Sequence, residues 1–339
     1  MSVIVTGLSG QDGYLMCKYL LQHTQLMVVG TIRYRTTDTT KMTDYFPDDP
    51  RFRVMHLDIT DQSNVFNVIN KVKPKYFINM AAQSFVGKSW DIPHATWSAN
   101  SMGVVNILDV LHKICQHCRF YNAGTSEEFG DVVYSPQDED HPLCPQSPYA
   151  ASKCAARHTV RVYRESYGMY AVQGWLFNHE GTRRGRDFVT RKITSTIASI
   201  KHSIESATPK FEPLELGNLD AKRDWSDAED FMDGIWKMMQ QDTVSPKAYI
   251  LSSGEMHSVR EFVEECLHAA SIKYIKSGDV YTHAGSGQLL VRVNPKFFRP
   301  AEVKVLMGDN KKARLELGWD PNNDFKKLVR KMFEYDYFK

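Results

Sequence analysis

Ser2-Val3-Ile4-Val5-Thr6-Gly7-Leu8-Ser9-Gly10-Gln11-Asp12-Gly13 decides the fold of this chain. Val3 to Thr6 reads as a short apolar strand, and Gly13 to His23 as an amphipathic helix. Between them Gly7, Gly10 and Gly13 recur every third residue. Glycines between a strand and a helix permit a tight turn and let backbone N–H groups approach a pyrophosphate. The helix N-terminus adds partial positive charge at the same place. The stretch therefore predicts a dinucleotide site at Gly7, Gly10, Gln11, Asp12 and Gly13.

Outward from this loop, short apolar runs alternate with helical ones. Met27 to Arg33, Arg53 to Ile59, Tyr76 to Ala81, Phe120 to Gly124 and Ala171 to Phe177 read as strands. Asp61 to Val72, Thr96 to Cys115 and Pro148 to Tyr167 read as helices. This alternation predicts an α/β fold: a Rossmann-like, doubly wound parallel sheet covered by helices on both faces. Ligands in such sheets bind beyond the carboxyl ends of the strands. The second half reads as helices over 192–203, 228–241, 259–270 and 324–337, with short strands at 211–216, 248–251 and 289–293. The expected organisation is a nucleotide-binding domain over 1–178 and a smaller α/β substrate lobe over 179–339. The boundary is soft, because a late strand can return to the main sheet.

A chain of 339 residues with 42% hydrophobic and 24% charged residues falls in the soluble globular class. Its net charge of +2 gives no general case for nucleic-acid or membrane binding, so any anion site must be a local cluster of Arg and Lys. No apolar run reaches membrane-span length, and the first strand runs straight into the glycine loop with no room for a signal peptide. A cytoplasmic protein is the expectation. Cys17, Cys154 and Cys266 fall in helical patterns as small buried hydrophobes, and Cys115-x-x-Cys118 reads as a helix end before a buried strand rather than a metal site. No metal is expected.

At the end of the second strand stands Arg33, twenty residues after Gly13. An acidic residue there would hold the free ribose hydroxyls of NAD, whereas arginine suits the 2′-phosphate of NADP. Asp58 and Ile59, ending the third strand, are placed to bracket an adenine. Ala81-Ala82-Gln83-Ser84 ends the fourth, where small residues admit a cofactor.

Thr125-Ser126-Glu127 ends the fifth strand, and Tyr149 precedes Lys153 by one helical turn. Free tyrosine titrates near 10, so ionisation near 7 needs about 4 kcal/mol of preferential phenolate stabilisation. The Lys153 ammonium and a positive nicotinamide are candidate sources. One base suffices to move a hydride; the carboxylate of Glu127 as a second base suggests further proton chemistry, such as elimination of water.

On these motifs the chain resembles the extended short-chain dehydrogenase/reductases, and among them the GDP-mannose 4,6-dehydratase family. Phe177-Asn178-His179-Glu180, Phe188-Val189-Thr190-Arg191-Lys192-Ile193-Thr194, Leu216-Gly217-Asn218, Arg223-Asp224-Trp225 and Phe298-Arg299-Pro300-Ala301-Glu302-Val303 carry that resemblance nearly end to end. It implies a lyase that oxidises C4 of GDP-D-mannose, eliminates water across C5 and C6, and returns the hydride to C6. Thr125 would bond the 4-hydroxyl, Tyr149 take its proton, Lys153 hold the nicotinamide ribose and Glu127 remove the C5 proton. His179 and Arg184 would contact NADP. Ser84, Asn178, Val189 and Lys192 would lie near the nucleotide sugar, Arg223 and Arg299 at the diphosphate, and Glu302 at ribose hydroxyls. The resemblance also implies a homodimer or homotetramer and a place in GDP-fucose or GDP-rhamnose formation. A GDP-manno-heptose substrate, or an added NADPH-dependent 4-keto reductase activity, are the alternatives. The chain departs from the family at Tyr34, Phe85, Ala95 and Gly181-Thr182, and at Glu128, where an apolar residue is usual and to which the sequence assigns no role.

Overall fold

In the computed structural model, which describes residues 1–34, 45–206, 211–243, 245–298, 305–322 and 324–339, β1 (Ser2–Val5) lies central in a seven-stranded parallel sheet. Its side chains alternate as a strand buried on both faces must: Val3 and Val5 enter one core, Ile4 the other. β2 (Met27–Ile32) and β3 (Phe52–His56) extend the sheet on one side of β1. β4 (Tyr76–Asn79), β5 (Arg119–Ala123) and β6 (Ala171–Leu176) extend it on the other. The order reverses between β1 and β4, opening the crevice in which such sheets bind ligands.

α1 (Gln11–His23) packs on the face of Val3 and Val5, while α2 (Gln62–Val72), α4 (Gly103–Ile114) and α5 (Pro148–Tyr167) cover the face of Ile4. A short α3 (Pro93–Trp97) and a π turn over Ser98–Met102 precede α4, so the single helix expected over 96–115 is broken. The cause is local. Asn100 donates to the Gln83 carbonyl (3.0 Å) and accepts from the Gln83 N–H (2.9 Å), turning a helical residue toward the end of β4. Cys115 and Cys118 sit buried where α4 gives way to β5.

Beyond β6, β7 (Asn178–Glu180) pairs in parallel with β10 (Trp225–Asp227), after β8 (Leu214–Leu216) and β9 (Lys222–Arg223). β11 (Ile250–Leu251) returns to the main sheet beside β6, and α7 (Ala228–Met239) joins α1 on its face. β12 (His257–Ser258) pairs with β9. The hairpin of β13 (Tyr274–Ser277) and β14 (Val280–His283), which no sequence reading anticipated, joins β15 (Leu289–Val293) and β8 in a four-stranded sheet. α6 (Val189–Glu205), α8 (Val259–Ala269) and α9 (Phe325–Tyr337) pack with it around a separate core.

Candidate active site

The glycine loop is built as tightly as its sequence suggests. Gly7 has φ +75°, and a Cβ there would lie 3.0 Å from the Met80 carbonyl carbon. A Cβ on Gly13 would lie 2.2 Å from the Gly7 carbonyl oxygen. Backbone is thus packed on backbone where α1 begins, and Gly10 precedes the helix with no side-chain cap, as a phosphate cradle requires. The Oε1 atoms of Gln11 and Gln83 and Oδ1 of Asn178 are buried without a partner, as a polar ligand site would leave them. These residues fit a dinucleotide.

A cavity of about 830 Å³ opens from this end and runs between the main sheet and the second lobe. Asp12, Ala82, Ser84, Thr125, Glu127, Tyr149, Lys153, Asn178, His179, Arg184, Val189, Lys192 and Arg223 all line it. Gly7, Gly10, Gln11, Gly13, Arg33, Asp58, Ile59, Ala81 and Gln83 are absent from that lining and lie along the loop and the carboxyl ends of β2 to β4. Arg33 is exposed there. Asp58 Oδ1 accepts from the Thr60 N–H and hydroxyl (2.9 and 2.7 Å), and Ile59 is a core side chain against Gly103. Arg299 and Glu302 lie outside the described residues, as does Arg35.

α5 presents Tyr149 and Lys153 because Ser147 caps its start, accepting from the Ala150 N–H at 3.1 Å, with Pro148 in the first turn. Tyr149 and Thr125 both line the cavity, and both residues are buried. Lys153 Nζ donates to the Ala123 carbonyl at 2.8 Å and lies 5.9 Å from the Tyr149 ring centre. The expectation that Lys153 lowers the Tyr149 pKa is not met in the chain alone. Burial pushes the phenol well above its usual range and outweighs the lowering effect of the Thr125 hydroxyl, while Glu127 and Glu128 push it further up. Burial also lowers Lys153 to about 8, against the support of Glu128 and Asp12.

A 3₁₀ turn over Ser126–Glu128 separates the two adjacent glutamates. Glu127 is half-buried and lines the cavity, whereas Glu128 is wholly buried beneath it.

Both ring nitrogens of His179 face acceptors: Nδ1 the Phe177 carbonyl (2.7 Å) and Nε2 the Asp12 carboxylate (3.1 Å). Neither partner can donate, so the imidazole carries both protons. Burial opposes that charge, but Asp12 outweighs it and raises the His179 pKa. In turn burial pushes Asp12 up, but His179 and Arg184 together hold its carboxyl well below the usual range. His179 also stacks on Phe231 at 4.7 Å, so its ring is committed on every side except the cavity. Arg184 Nε lies 3.1 Å from the Glu180 carboxylate, an ion-pair contact without hydrogen-bond alignment.

At the far end, Lys192 Nζ donates to the Glu215 carbonyl (2.6 Å) and sits 3.5 Å from the centre of the Phe297 ring. Arg223, at the end of β9, donates to the Lys222 carbonyl at 2.7 Å. Phe85, Phe188, Phe297 and Phe298 also line the cavity and were not among the expected site residues. Phe85 stands edge-on to Phe188 at 5.6 Å. The one sequence signal for this aromatic wall was Phe85, which stands where the resembled family has histidine.

The family model described as GDP-mannose 4,6 dehydratase matches residues 4–332. The chain is 42% identical to the GDP-mannose 4,6 dehydratase of Drosophila melanogaster, covering 98% of this chain and 85% of that one. It is 38% identical to the GDP-mannose 4,6-dehydratase of Yersinia enterocolitica (98% and 93% covered) and 37% identical to that of Homo sapiens (98% and 90%). Among solved structures it is similar to RMD from Pseudomonas aeruginosa complexed with NADPH, at 21% identity, TM-score 0.76 and 99% and 97% coverage. It is also similar to dTDP-glucose 4,6-dehydratase from Bacillus anthracis in complex with NAD, at 17% identity, TM-score 0.78 and 99% and 96% coverage. These two likenesses concern the fold.

Proposed function

Because this chain belongs to the GDP-mannose 4,6-dehydratase family, we propose that it converts GDP-D-mannose to GDP-4-keto-6-deoxy-D-mannose. The observation that carries the reading is the convergence of Thr125, Glu127, Tyr149 and Lys153 on one cavity in a chain matched almost end to end. A reductase or epimerase has no need of Glu127; a dehydratase does.

A nicotinamide cofactor, when bound, accepts hydride from C4 and returns it to C6. The glycine loop, Arg33, Lys153 and the residues ending β4 would hold it. The remaining chemistry belongs to side chains. Thr125 and Tyr149 hold the 4-hydroxyl, and Tyr149 takes its proton. The resulting ketone acidifies the C5–H bond. Glu127 removes that proton and returns it to the departing C6 hydroxyl, which leaves as water; when hydride returns to C6, the proton that Tyr149 took from the 4-hydroxyl balances the one needed to restore C5–H. Arg184, Arg223 and Arg299 suit the anionic groups of cofactor and substrate, and Lys192 the base.

We take NADP as the cofactor, on the arginine at the end of β2. A homodimer or homotetramer is supported by exposed Trp97, Met102 and Val162 on or beside α3, the π turn and α5. Residues 1–178 would bind the cofactor and 179–339 most of the nucleotide sugar. No helix among the described residues is long and apolar enough to cross a membrane, and we place the protein in the cytoplasm.

The test is purified protein with GDP-mannose and trace NADP⁺, followed by mass spectrometry. Loss of one water with no net NADPH is expected. An unchanged sugar nucleotide refutes the reading.

A further inference from the structure

A buried polar row crosses the main sheet beneath the cavity. The Thr6 hydroxyl donates to Asn79 Oδ1 (2.6 Å), the Asn79 amide to Asn122 Oδ1 (2.8 Å), the Asn122 amide to Gln173 Oε1 (2.6 Å) and the Gln173 amide to Glu128 Oε1 (3.1 Å). All these side chains are buried. Every donor points the same way, so the row ends on acceptors, and the Glu128 carboxylate is the side chain that receives it. The row runs from the residue that opens the glycine loop to the turn that carries Thr125 and Glu127.

At its end the Glu128 carboxylate makes further bonds. Oε1 takes the Thr125 N–H at 2.9 Å, and Oε2 takes the Nε–H of Arg157. Arg157 is clamped in turn. It donates to the carbonyls of Gln173 (2.7 Å) and Gly174 (3.2 Å) and lies 3.5 Å from the centre of the Trp175 ring. Gly124 makes the room: a Cβ there would lie 2.8 Å from both Glu128 Oε1 and Arg157 Nη2. The Gln173 amide also donates to the Lys153 carbonyl at 3.2 Å, tying α5 to the same point.

On the functional reading given above, we propose that Glu128 is a positioning residue for the dehydration: its buried carboxylate, held by Arg157 and Gln173, locks the turn that aims Thr125 and Glu127 into the cavity. A buried ion pair is weak evidence for stability, since apolar residues of similar volume often serve as well. An apolar residue cannot accept the Thr125 N–H or end the amide row. Those are the tasks the Glu128 oxygens perform in this chain. It touches no reacting atom; it acts through Thr125 and Glu127.

The test compares the wild type with Glu128→Gln and with the double variant Glu128→Leu/Arg157→Met, which removes both buried charges together and leaves neither unpaired. Steady-state turnover of GDP-mannose is measured across pH, alongside hydrogen exchange of the segment 124–129 and NADP⁺ binding. In the double variant kcat should fall on the order of tenfold to a hundredfold, the cost of misplacing catalytic groups. KM and NADP⁺ affinity should barely change, and the segment should exchange faster. In Glu128→Gln the alkaline limb of kcat should move to lower pH. Lys153 faces Glu128, Asp12, Arg157 and Tyr149, and loses the largest of the charges that keep it protonated. A merely structural role would move KM and NADP⁺ affinity along with kcat. Unchanged kcat, pH profile and exchange in both variants overturn the proposal. Should the wild type leave GDP-mannose intact, the functional reading fails, and the exchange of 124–129 still decides whether Glu128 holds the turn.

Discussion

Replacing Glu127 by Gln should separate the two halves of the proposed reaction. The amide is isosteric, and the backbone contact that seats the residue, the Glu127 N–H to Thr125 Oγ1 at 3.3 Å, is untouched. C4 oxidation should survive. Glu127 is among the charges that push Tyr149 up, so its neutralisation eases rather than hinders loss of the phenolic proton. Elimination should not survive. Glu128, next in sequence, is wholly buried and already engaged by Thr125, Gln173 and Arg157, so it cannot take over as base. Losing a positioned general base costs about 10²–10⁴-fold, which is about 3–5 kcal/mol on the elimination barrier.

A single-turnover assay with stoichiometric NADP⁺ reads both halves. The wild type should show only transient cofactor reduction and a product lighter by one water. The variant should accumulate reduced cofactor, with a sugar nucleotide lighter by two hydrogens instead. Tyr149→Phe should stop both. Turnover of Glu127→Gln near the wild-type rate would refute the assignment of the base and the argument from the burial of Glu128.

Arg33→Ala should weaken NADP⁺ far more than NAD⁺; equal affinities for both cofactors in the wild type would remove the role given to Arg33. Gly13→Ala drives a methyl group to 2.2 Å from the Gly7 carbonyl, and should cost about 1–3 kcal/mol of stability together with cofactor affinity, read by melting and titration. Asp224 is pushed up to about 6 from 3.8 by burial, against bonds from Ser253, Gly254 and Gly308. Its native carboxyl binds a proton more readily than the unfolded one, so stability should fall as pH rises from about 4 to about 6, by on the order of 3 kcal/mol. Asp224→Asn should abolish that slope in denaturation measured across pH.

The main sheet was legible because its strands are buried on both faces and punctuated by turn residues. Tyr76–Asn79 and Ala171–Leu176 are unbroken buried runs, and period and length suffice to find them. The second lobe was less so. β9 and β12 are two residues each, too short for any periodicity, and β13 is mostly exposed, so hydrophobic pattern does not mark it. β7 was hidden because Asn178-His179-Glu180 is polar, and its burial comes from pairing with β10 and from the Asp12–His179 contact. At the site, local motifs located Thr125, Tyr149 and Lys153. The aromatic wall was not legible, since Phe85, Phe188 and Phe297 meet only through tertiary packing.

The two glutamates show why spacing alone stops short of chemistry. Both Glu127 and Glu128 are carboxylates after a strand end, and the sequence names Glu127 as the base while assigning Glu128 no role. A 3₁₀ turn rotates about 120° per residue, so one faces solvent-accessible cavity and the other the core. The same step sets their electrostatics. Glu128 meets an arginine and a row of amides, which occupy both its oxygens and leave none free to accept a substrate proton. Glu127 meets the cavity, where it can gain and lose one. Both raise the Tyr149 pKa, so the chain alone holds its phenol protonated. A positive nicotinamide is the candidate charge for lowering that pKa. Deprotonation of Tyr149 is then coupled to occupancy of the glycine loop. A titration of the phenol should therefore show no transition near neutral pH in the free protein and one in the NADP⁺ complex; a neutral transition without cofactor would show that Lys153 suffices.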